Sequence, residues 1–280
     1  MNVLTQYLNY PVKTVAFVDG VDDGPEMMLP YWYAEMDGYQ TVHVPQPLGS
    51  IAGVVSFVQD HAQAVVCANR LDHLGSNHFS GAELAAALYD ARIPTLLVTQ
   101  YLDIDQHTSI RKWRSKLPVV LHLREFEPTT VKDYLEVCIT ELQGSIPEAR
   151  VPFQVMLGID DVDEMAGERY IDVSVGCWDH YQRVRLPVSL IPEHLHAHLA
   201  PGAWLFAHVN VRAKWSDELY FREFVRAPKP EYDEDLVYCV NVLDGVSMNR
   251  HLCYWFDNQR GQEQPFEVQV SDIDKKDMLN

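Results

Sequence analysis

The chain has 280 residues, which is long enough for two domains of ordinary size. Hydrophobic residues make up 47% of the sequence and charged residues 22%, so the chain is able to bury cores and is not disordered as a whole. The formal net charge of −18 is spread over both halves, which argues against general binding to nucleic acids or anionic membranes.

The compartment is predicted from two patterns. No apolar run approaches the ~20 residues that span a bilayer, and the N-terminus lacks the basic-then-apolar order of a signal peptide. The five cysteines form no Cys-X-X-Cys pair, and most lie in apolar runs such as AVVCA and YLEVCI. We therefore expect a cytoplasmic protein with buried, reduced thiols and no membrane contact.

The first half alternates strand-like and helix-like patterns. Ser80 and Glu83 form a capping-box pattern at the start of the helical stretch ELAAALYDARI. A second helical stretch begins at Thr129 or Thr130 and carries apolar residues on one face. Five continuous apolar runs are typical of strands buried on both faces: Thr14–Val18, Thr41–Val44, Ala64–Ala68, Thr95–Val98 and Pro118–Leu123. We predict an α/β domain over residues 12–143 with a doubly wound, five-stranded parallel sheet.

The segment 144–152 (GSIPEARVP) is predicted to be a linker, and the pattern after it is strand-like. One short helix is expected at Pro192–Leu199. The predicted strands are Arg169–Val175, Gln182–Leu186, Trp204–Val211, Leu219–Phe224, Tyr238–Val242, Leu252–Phe256 and Phe266–Val270. We predict a second, β-rich domain over residues 151–272 that forms a small barrel or a sandwich.

Four motifs of the first half, in this order, are similar to the receiver domain of bacterial response regulators, the CheY-like domain of two-component systems. They are VAFVDG at the first strand, FSGAELAAAL at the helix after the third strand, IPTLLVTQY at the fourth strand and LPVVLHLREFEPTTVKDYL from the fifth strand onward. The resemblance covers residues 12–143. It implies a flavodoxin-like sheet and a role in signal transduction.

The resemblance also implies a site at which an acidic pair binds Mg²⁺ and an aspartate at the end of the third strand accepts a phosphoryl group. Asp19 matches the first acid, whereas Gly20 stands where a second acid is expected. Ala68 stands at the position of the nucleophile, or Asn69 if the third strand ends one residue later. Neither of these side chains is able to form an acyl phosphate.

Of three further positions, one matches the family and two differ from it. Thr99 matches the hydroxyl residue after the fourth strand, while Arg124 replaces the expected lysine after the fifth and is expected to pair with Asp19. Leu121 stands where the family has an aromatic ring that rotates on activation. We predict a pseudo-receiver without a phosphoacceptor and without a cofactor. The alternative is a flavodoxin-like sheet with no signalling ancestry, in which Asp19 and Thr99 only terminate strands.

Other candidate sites are weaker. On an α-helix, His194 and His198 lie one turn apart and are able to share a metal ion, although solvated histidines on a surface helix are the simpler interpretation. Cys177 and His180 resemble a nucleophile and a base, but no third group orients them. Neither of the Gly-rich phosphate-loop motifs occurs in the sequence.

We interpret the protein as a regulator that acts through protein–protein contact and is not an enzyme. By the resemblance, the segments Asp105–Lys116 and Thr129–Leu142 are candidates for a homodimer surface. The basic residues of the first segment, Arg111, Lys112, Arg114 and Lys116, are expected on a solvated helix face. Two alternatives stay open for the C-terminal domain: a metal-assisted hydrolase around His194 and His198, or a nucleic-acid-binding output domain.

Overall fold

The computed structural model describes residues 11–19, 36, 38–45, 48–71, 79–165, 167–179 and 181–227. Ten strands are described: β1 Thr14–Val18, β2 Gln40–His43, β3 Ala64–Ala68, β4 Thr95–Thr99, β5 Val119–His122, β6 Phe153–Met165, β7 Glu168–Val175, β8 Val184–Pro187, β9 Trp204–Val209 and β10 Phe221–Ala227. The described α-helices are α1 Ile51–His61, α2 Gly81–Asp90, α3 Leu102–Asp105 and α4 Val131–Leu142.

The first five strands form one parallel sheet in the order β2-β1-β3-β4-β5. Val15 aligns with Ala64 across β1 and β3, and Val65 aligns with Thr95 across β3 and β4. The central strands are buried on both faces, as their continuous apolar sequences predict. This order is that of flavodoxin-like, doubly wound sheets. The predicted fold class of the first half is therefore confirmed.

The two faces of this sheet bury separate apolar cores. On one face, α1 and α2 pack on the side chains of Ala16, Val65 and Leu97. On the other face, α4 packs on Val66 and Leu96. Alternate residues of each strand supply the two cores because side chains alternate between the faces of a strand.

Side chains at the helix starts follow the sequence pattern only in part. Ser80 Oγ accepts a hydrogen bond from the Glu83 N–H at 3.2 Å, so it caps α2 as the sequence predicts. Thr130 is the N-cap residue of α4, but its hydroxyl donates to the Glu127 carbonyl instead of accepting from the helix. The hydroxyl therefore stabilises the preceding turn, Pro128–Thr130.

The last five strands form an antiparallel sheet in the order β10-β9-β6-β7-β8. Its central strand, β6, spans 13 residues and pairs with both β7 and β9, and the sequence pattern did not predict it. The predicted β-rich class is confirmed. Within the described residues the edge strands β10 and β8 are not paired with each other, so closure into a barrel or a sandwich stays a prediction. The strands predicted at Tyr238–Val242, Leu252–Phe256 and Phe266–Val270 lie outside the described residues.

The predicted linker is anchored at Arg150. Its side chain is 9% exposed and pairs with the carboxylate of Glu141, a residue of α4 that is 3% exposed. The same guanidinium donates to the carbonyls of Ser115 and Leu117. A buried ion pair of this kind is stable only when further hydrogen bonds satisfy both groups, as they do here. The Tyr220 hydroxyl, directly before β10, donates to the Arg150 carbonyl at 2.6 Å, so Arg150 is bonded to both sheet regions.

Every helix in the described ranges falls short of the length and hydrophobicity that a bilayer span requires. The domain boundaries at residues 143 and 151 stay predictions.

We predict that Gly81→Ala strongly destabilises the protein. A Cβ at Gly81 would lie 1.8 Å from the Ala68 carbonyl oxygen, and a backbone atom is unable to yield as a flexible side chain does. We expect the free energy of unfolding in urea to fall by about 2 kcal/mol or more.

Gly53→Ala is the matched control, because a Cβ there meets only Ser50 Oγ at 3.4 Å within α1. We expect it to leave stability unchanged or to raise it by up to about 1 kcal/mol. Equal unfolding free energies for the two variants would contradict the close approach of α2 to β3.

Candidate functional site

The carboxyl ends of β1, β3 and β4 meet at one edge of the parallel sheet, where doubly wound folds place their sites. Asp19 follows β1 directly and is half-buried. Cys67 lies on the neighbouring strand, and burial raises the pKa of its thiol, with a further rise from the negative charge of Asp19. Cys67 is therefore a protonated, unreactive thiol at neutral pH.

The third strand ends in an alanine followed by a fully engaged amide. β3 ends at Ala68 and not at Asn69, the two residues between which the sequence did not decide. Asn69 is 2% exposed. Asn69 Oδ1 accepts from the Ala82 N–H at 3.1 Å, and its Nδ2 donates to Ser109 Oγ at 3.0 Å. The side chain thus caps the first turn of α2 and holds the segment after β4. It is a structural residue with both ends occupied.

A buried carboxylate enters the site from beyond β4. Asp105, the last residue of α3, is 4% exposed. Its Oδ2 accepts from the Thr99 hydroxyl at 2.5 Å, and its Oδ1 pairs with Arg70 Nη2 at 3.1 Å. The Arg70 guanidinium also lies 3.9 Å from the centroid of the Tyr101 ring. A buried carboxylate is stabilised when a cation and a hydroxyl share its charge, and Asp105 has both.

The groups at this edge of the sheet that the resemblance assigns to phosphoryl transfer are engaged within the chain. The Thr99 hydroxyl, which by resemblance would bind a phosphoryl oxygen, donates to Asp105. The third strand presents a methyl group and a bound amide where a nucleophile would stand. Thr99, Asp105 and Arg70 form a closed polar cluster, in which the Asp105 carboxylate binds both other side chains. Sequence reasoning named Asn69 and Thr99 but missed Arg70, Asp105 and Ser109.

Arg124 lies apart from that cluster. It is exposed in the short 3₁₀ turn Leu123–Glu125, and its guanidinium forms no ion pair with any described residue. The expected Asp19–Arg124 pair is therefore wrong. The reason is local: the Arg124 N–H donates to His122 Nδ1 at 3.0 Å, and Glu125 accepts from the His122 N–H, which forms a capped turn directly after β5.

The histidine pair of the second half is not arranged as a metal site. Glu193–His198 is a 3₁₀ helix, in which residues three apart share a face, so His194 and His198 point in different directions. Both are exposed, and His196 Nε2 contacts the Ile191 carbonyl at 2.7 Å. No three metal-ligating side chains converge anywhere in the described part of the chain.

Two basic residues that were expected on a solvated helix face are buried. Arg111 is 1% exposed and Arg114 is 6% exposed, whereas Lys112 is exposed and Lys116 pairs with Asp90 at 2.6 Å. The two guanidinium groups contact the segment between β9 and β10 of the second sheet. These two residues of the candidate homodimer segment Asp105–Lys116 are therefore covered within the chain.

No protein-family model and no curated protein matches the chain. Solved receiver domains match its N-terminal half. FixJ-N is 21% identical and matches over 46% of this chain and 95% of its own, with a TM-score of 0.33. A receiver domain from Clostridium thermocellum is 11% identical over 47% of this chain and 97% of its own, with a TM-score of 0.34.

A CheY-like receiver domain protein from Methanospirillum hungatei JF-1 is 14% identical over 48% of this chain and 98% of its own, with a TM-score of 0.34. Likenesses at these identities concern the fold alone. The receiver-like fold predicted for the first half is confirmed by the strand order described above.

We predict that Asn69→Ala lowers the free energy of unfolding by about 1–3 kcal/mol, because it removes the cap of the Ala82 N–H and leaves the Ser109 hydroxyl without its partner. Urea unfolding measures this loss. Thr129→Ala is the control, since Thr129 is exposed and forms no described side-chain hydrogen bond. A loss for Asn69→Ala no larger than that of the control would disprove the bridging role of the amide.

Proposed function

We propose that the protein is a signalling or regulatory protein, response-regulator-like in its first half, that acts through protein–protein contact without a phosphoacceptor of its own. The observation that carries this proposal is the end of β3. Phosphoryl transfer needs a free carboxylate at this position. Ala68 and Asn69 stand there instead, and the Asn69 side-chain amide already makes two hydrogen bonds.

The partner of the Thr99 hydroxyl supports the same proposal. Phosphoryl transfer depends on a set of groups positioned together around a metal ion, not on single residues. Here Thr99 is engaged by the Asp105 carboxylate, and Asp105 is itself paired with Arg70. Opening this cluster to admit a phosphoryl group would leave a buried carboxylate without its hydroxyl donor, at a cost of about 1–3 kcal/mol.

The remaining parts of the proposal follow from charge and from the second sheet. A net charge of −18 disfavours nucleic acid as the partner and favours another protein in the cytoplasm. The exposed positions of His194 and His198 give no support to a metal-assisted hydrolase. We therefore propose a protein that is not an enzyme and has no cofactor.

We predict that incubation with acetyl phosphate and Mg²⁺ gives no stable aspartyl phosphate on the intact protein, since neither Ala68 nor Asn69 is able to accept a phosphoryl group. Intact-mass spectrometry and peptide mapping measure this, with a phosphorylatable receiver treated in parallel as the positive control.

Stable labelling of Asp19, Asp105 or any other aspartate of the N-terminal half would overturn the proposal. The variants Ala68→Asp and Asn69→Asp, tested separately, extend the experiment. Labelling that arises in one of them identifies the position of the missing nucleophile. It also shows that the missing carboxylate is what prevents phosphorylation of the parent protein.

We also propose that the chain forms a homodimer through α4, because Arg111 and Arg114 of the other candidate segment are buried within the chain. Val137 is 38% exposed on α4 and is the apolar residue that such a contact would bury. We predict that Val137→Asp weakens the dimer by about tenfold or more, since an unpaired charge would be buried in the contact.

Light scattering after size exclusion, over a range of concentrations, measures the dimer. Ile146→Asp is the control, because Ile146 is equally apolar and 50% exposed but lies beyond the helix. A wild-type chain that stays monomeric at every concentration, or equal effects of the two variants, would reject dimerisation through α4.

A further inference from the structure

One continuous segment joins the candidate site to the second sheet. We call residues 101–117 the connector; it runs from the end of β4 to the start of β5 and contains neither glycine nor proline. Its N-terminal part is tied to the strand ends by three side-chain pairs. Asp105 binds Thr99 of β4 and Arg70 after β3, and Ser109 accepts from Asn69.

The C-terminal part of the connector binds the loop between β9 and β10. Four consecutive carbonyls of that loop, at residues 216 to 219, accept hydrogen bonds from side-chain donors. Arg111 Nη1 donates to Ser216 at 2.8 Å and to Leu219 at 2.7 Å, and Arg114 Nε donates to Asp217 at 2.9 Å. The carbonyl of residue 218 accepts from Asn210 of the second sheet region at 3.1 Å.

Both guanidinium groups are buried charges, and the Nη1 contacts are the hydrogen bonds of Arg111, since its Nε and Nη2 have no partner among the described residues. Burial lowers the pKa of Arg111 to about 10 and that of Arg114 to about 9, so both remain cationic at neutral pH. Moving a guanidinium out of reach of its carbonyls would leave a buried charge with fewer partners, which is strongly unfavourable. The loop between β9 and β10 is therefore confined to the position in which its carbonyls face the connector.

The connector is internally bonded between its two ends. The Asp105 N–H donates to the Tyr101 carbonyl, the Ile110 N–H to that of Asp105, and the Trp113 N–H to that of Ile110. Ile110 and Leu117 are buried in the core beneath α1 and α2. The two ends of the connector are therefore joined by contiguous hydrogen bonds and packed side chains, which is the kind of network that carries coupling between sites.

We propose that the connector couples the candidate site to the loop between β9 and β10, so that the closed Asp105 cluster at one end keeps the second sheet fastened at the other. The coupling is a property of the closed cluster and does not require phosphoryl transfer. In this proposal Thr99 and Asp105 are positioning residues. The second sheet is the element that responds when the cluster opens.

Hydrogen exchange of the full-length chain, followed by mass spectrometry, tests the coupling. Thr99→Val removes the hydroxyl that binds Asp105 and keeps the side-chain shape. We expect it to accelerate exchange of amides in residues 101–110 by about tenfold or more, and exchange in residues 216–220 by a comparable factor. Thr108→Val is the matched control, because the Thr108 hydroxyl bonds only to carbonyls of the connector itself.

The reverse experiment starts from the second sheet. In the parent protein Arg111 Nη1 alone donates to both carbonyls, and Arg111→Lys replaces it with a shorter side chain whose ammonium group ends farther from them. Because coupling is reciprocal, it should accelerate exchange at residues 101–110 as well as at 216–220. If Thr99→Val fails to fold, Ser109→Ala replaces it as the test that starts from the candidate site. It is a smaller change, which removes the acceptor of the Asn69 amide in the N-terminal part of the connector.

Acceleration confined to the end that carries the substitution, with the other end unchanged, would overturn the proposal. So would equal effects of Thr99→Val and Thr108→Val. Neither outcome bears on phosphorylation, so failure of the coupling and failure of the proposed function are distinguishable.

Discussion

The negative charge of Asp105 is the constraint around which the candidate site is built. A carboxylate that is 4% exposed requires compensation from its neighbours, and two groups from different strand ends provide it. Arg70 supplies the opposite charge and Thr99 a hydroxyl donor. Because Thr99 ends β4 and Arg70 lies two residues after β3, Asp105 joins two neighbouring strand ends at the edge where doubly wound folds place their ligands.

Under the proposed function, the Asp105 cluster stands in for the metal ion and the phosphoryl group that receiver domains bind. Receivers use that edge for a metal ion and a phosphoryl group, which bring charges that the protein must balance. Here a carboxylate of the chain itself provides the negative charge, and an arginine provides the positive one. Asn69 adds no charge to this edge, because its neutral amide forms hydrogen bonds with α2 and with Ser109.

The sequence predicted those parts of the fold that depend on apolar patterning. The central strands β1, β3 and β4 are buried as their continuous apolar runs predict, and β3 spans the residues of its run. The edge strand β2 was also expected to be buried, but it is mostly exposed, and β5 is fully buried only at alternate residues. β6 was missed because its second half, from Asp160 to Met165, is polar and largely exposed, so hydrogen bonds to β7 rather than burial define it as a strand. The short helix expected at Pro192–Leu199 is present as the 3₁₀ helix Glu193–His198, and the exposure of His194 and His198 agrees with the simpler interpretation of solvated histidines.

The polar contacts were less predictable for a physical reason. Asp105 lies six residues beyond Thr99, and only the turn that follows β4 brings the two side chains together. Arg111 and Arg114 belong to a basic run, which usually marks a solvated face. Their burial depends on main-chain carbonyls supplied by residues more than 100 positions away, and any sequence presents carbonyls. A carbonyl acceptor leaves no signature in the side chains of the loop, so a pattern of opposite charges would not reveal the contact.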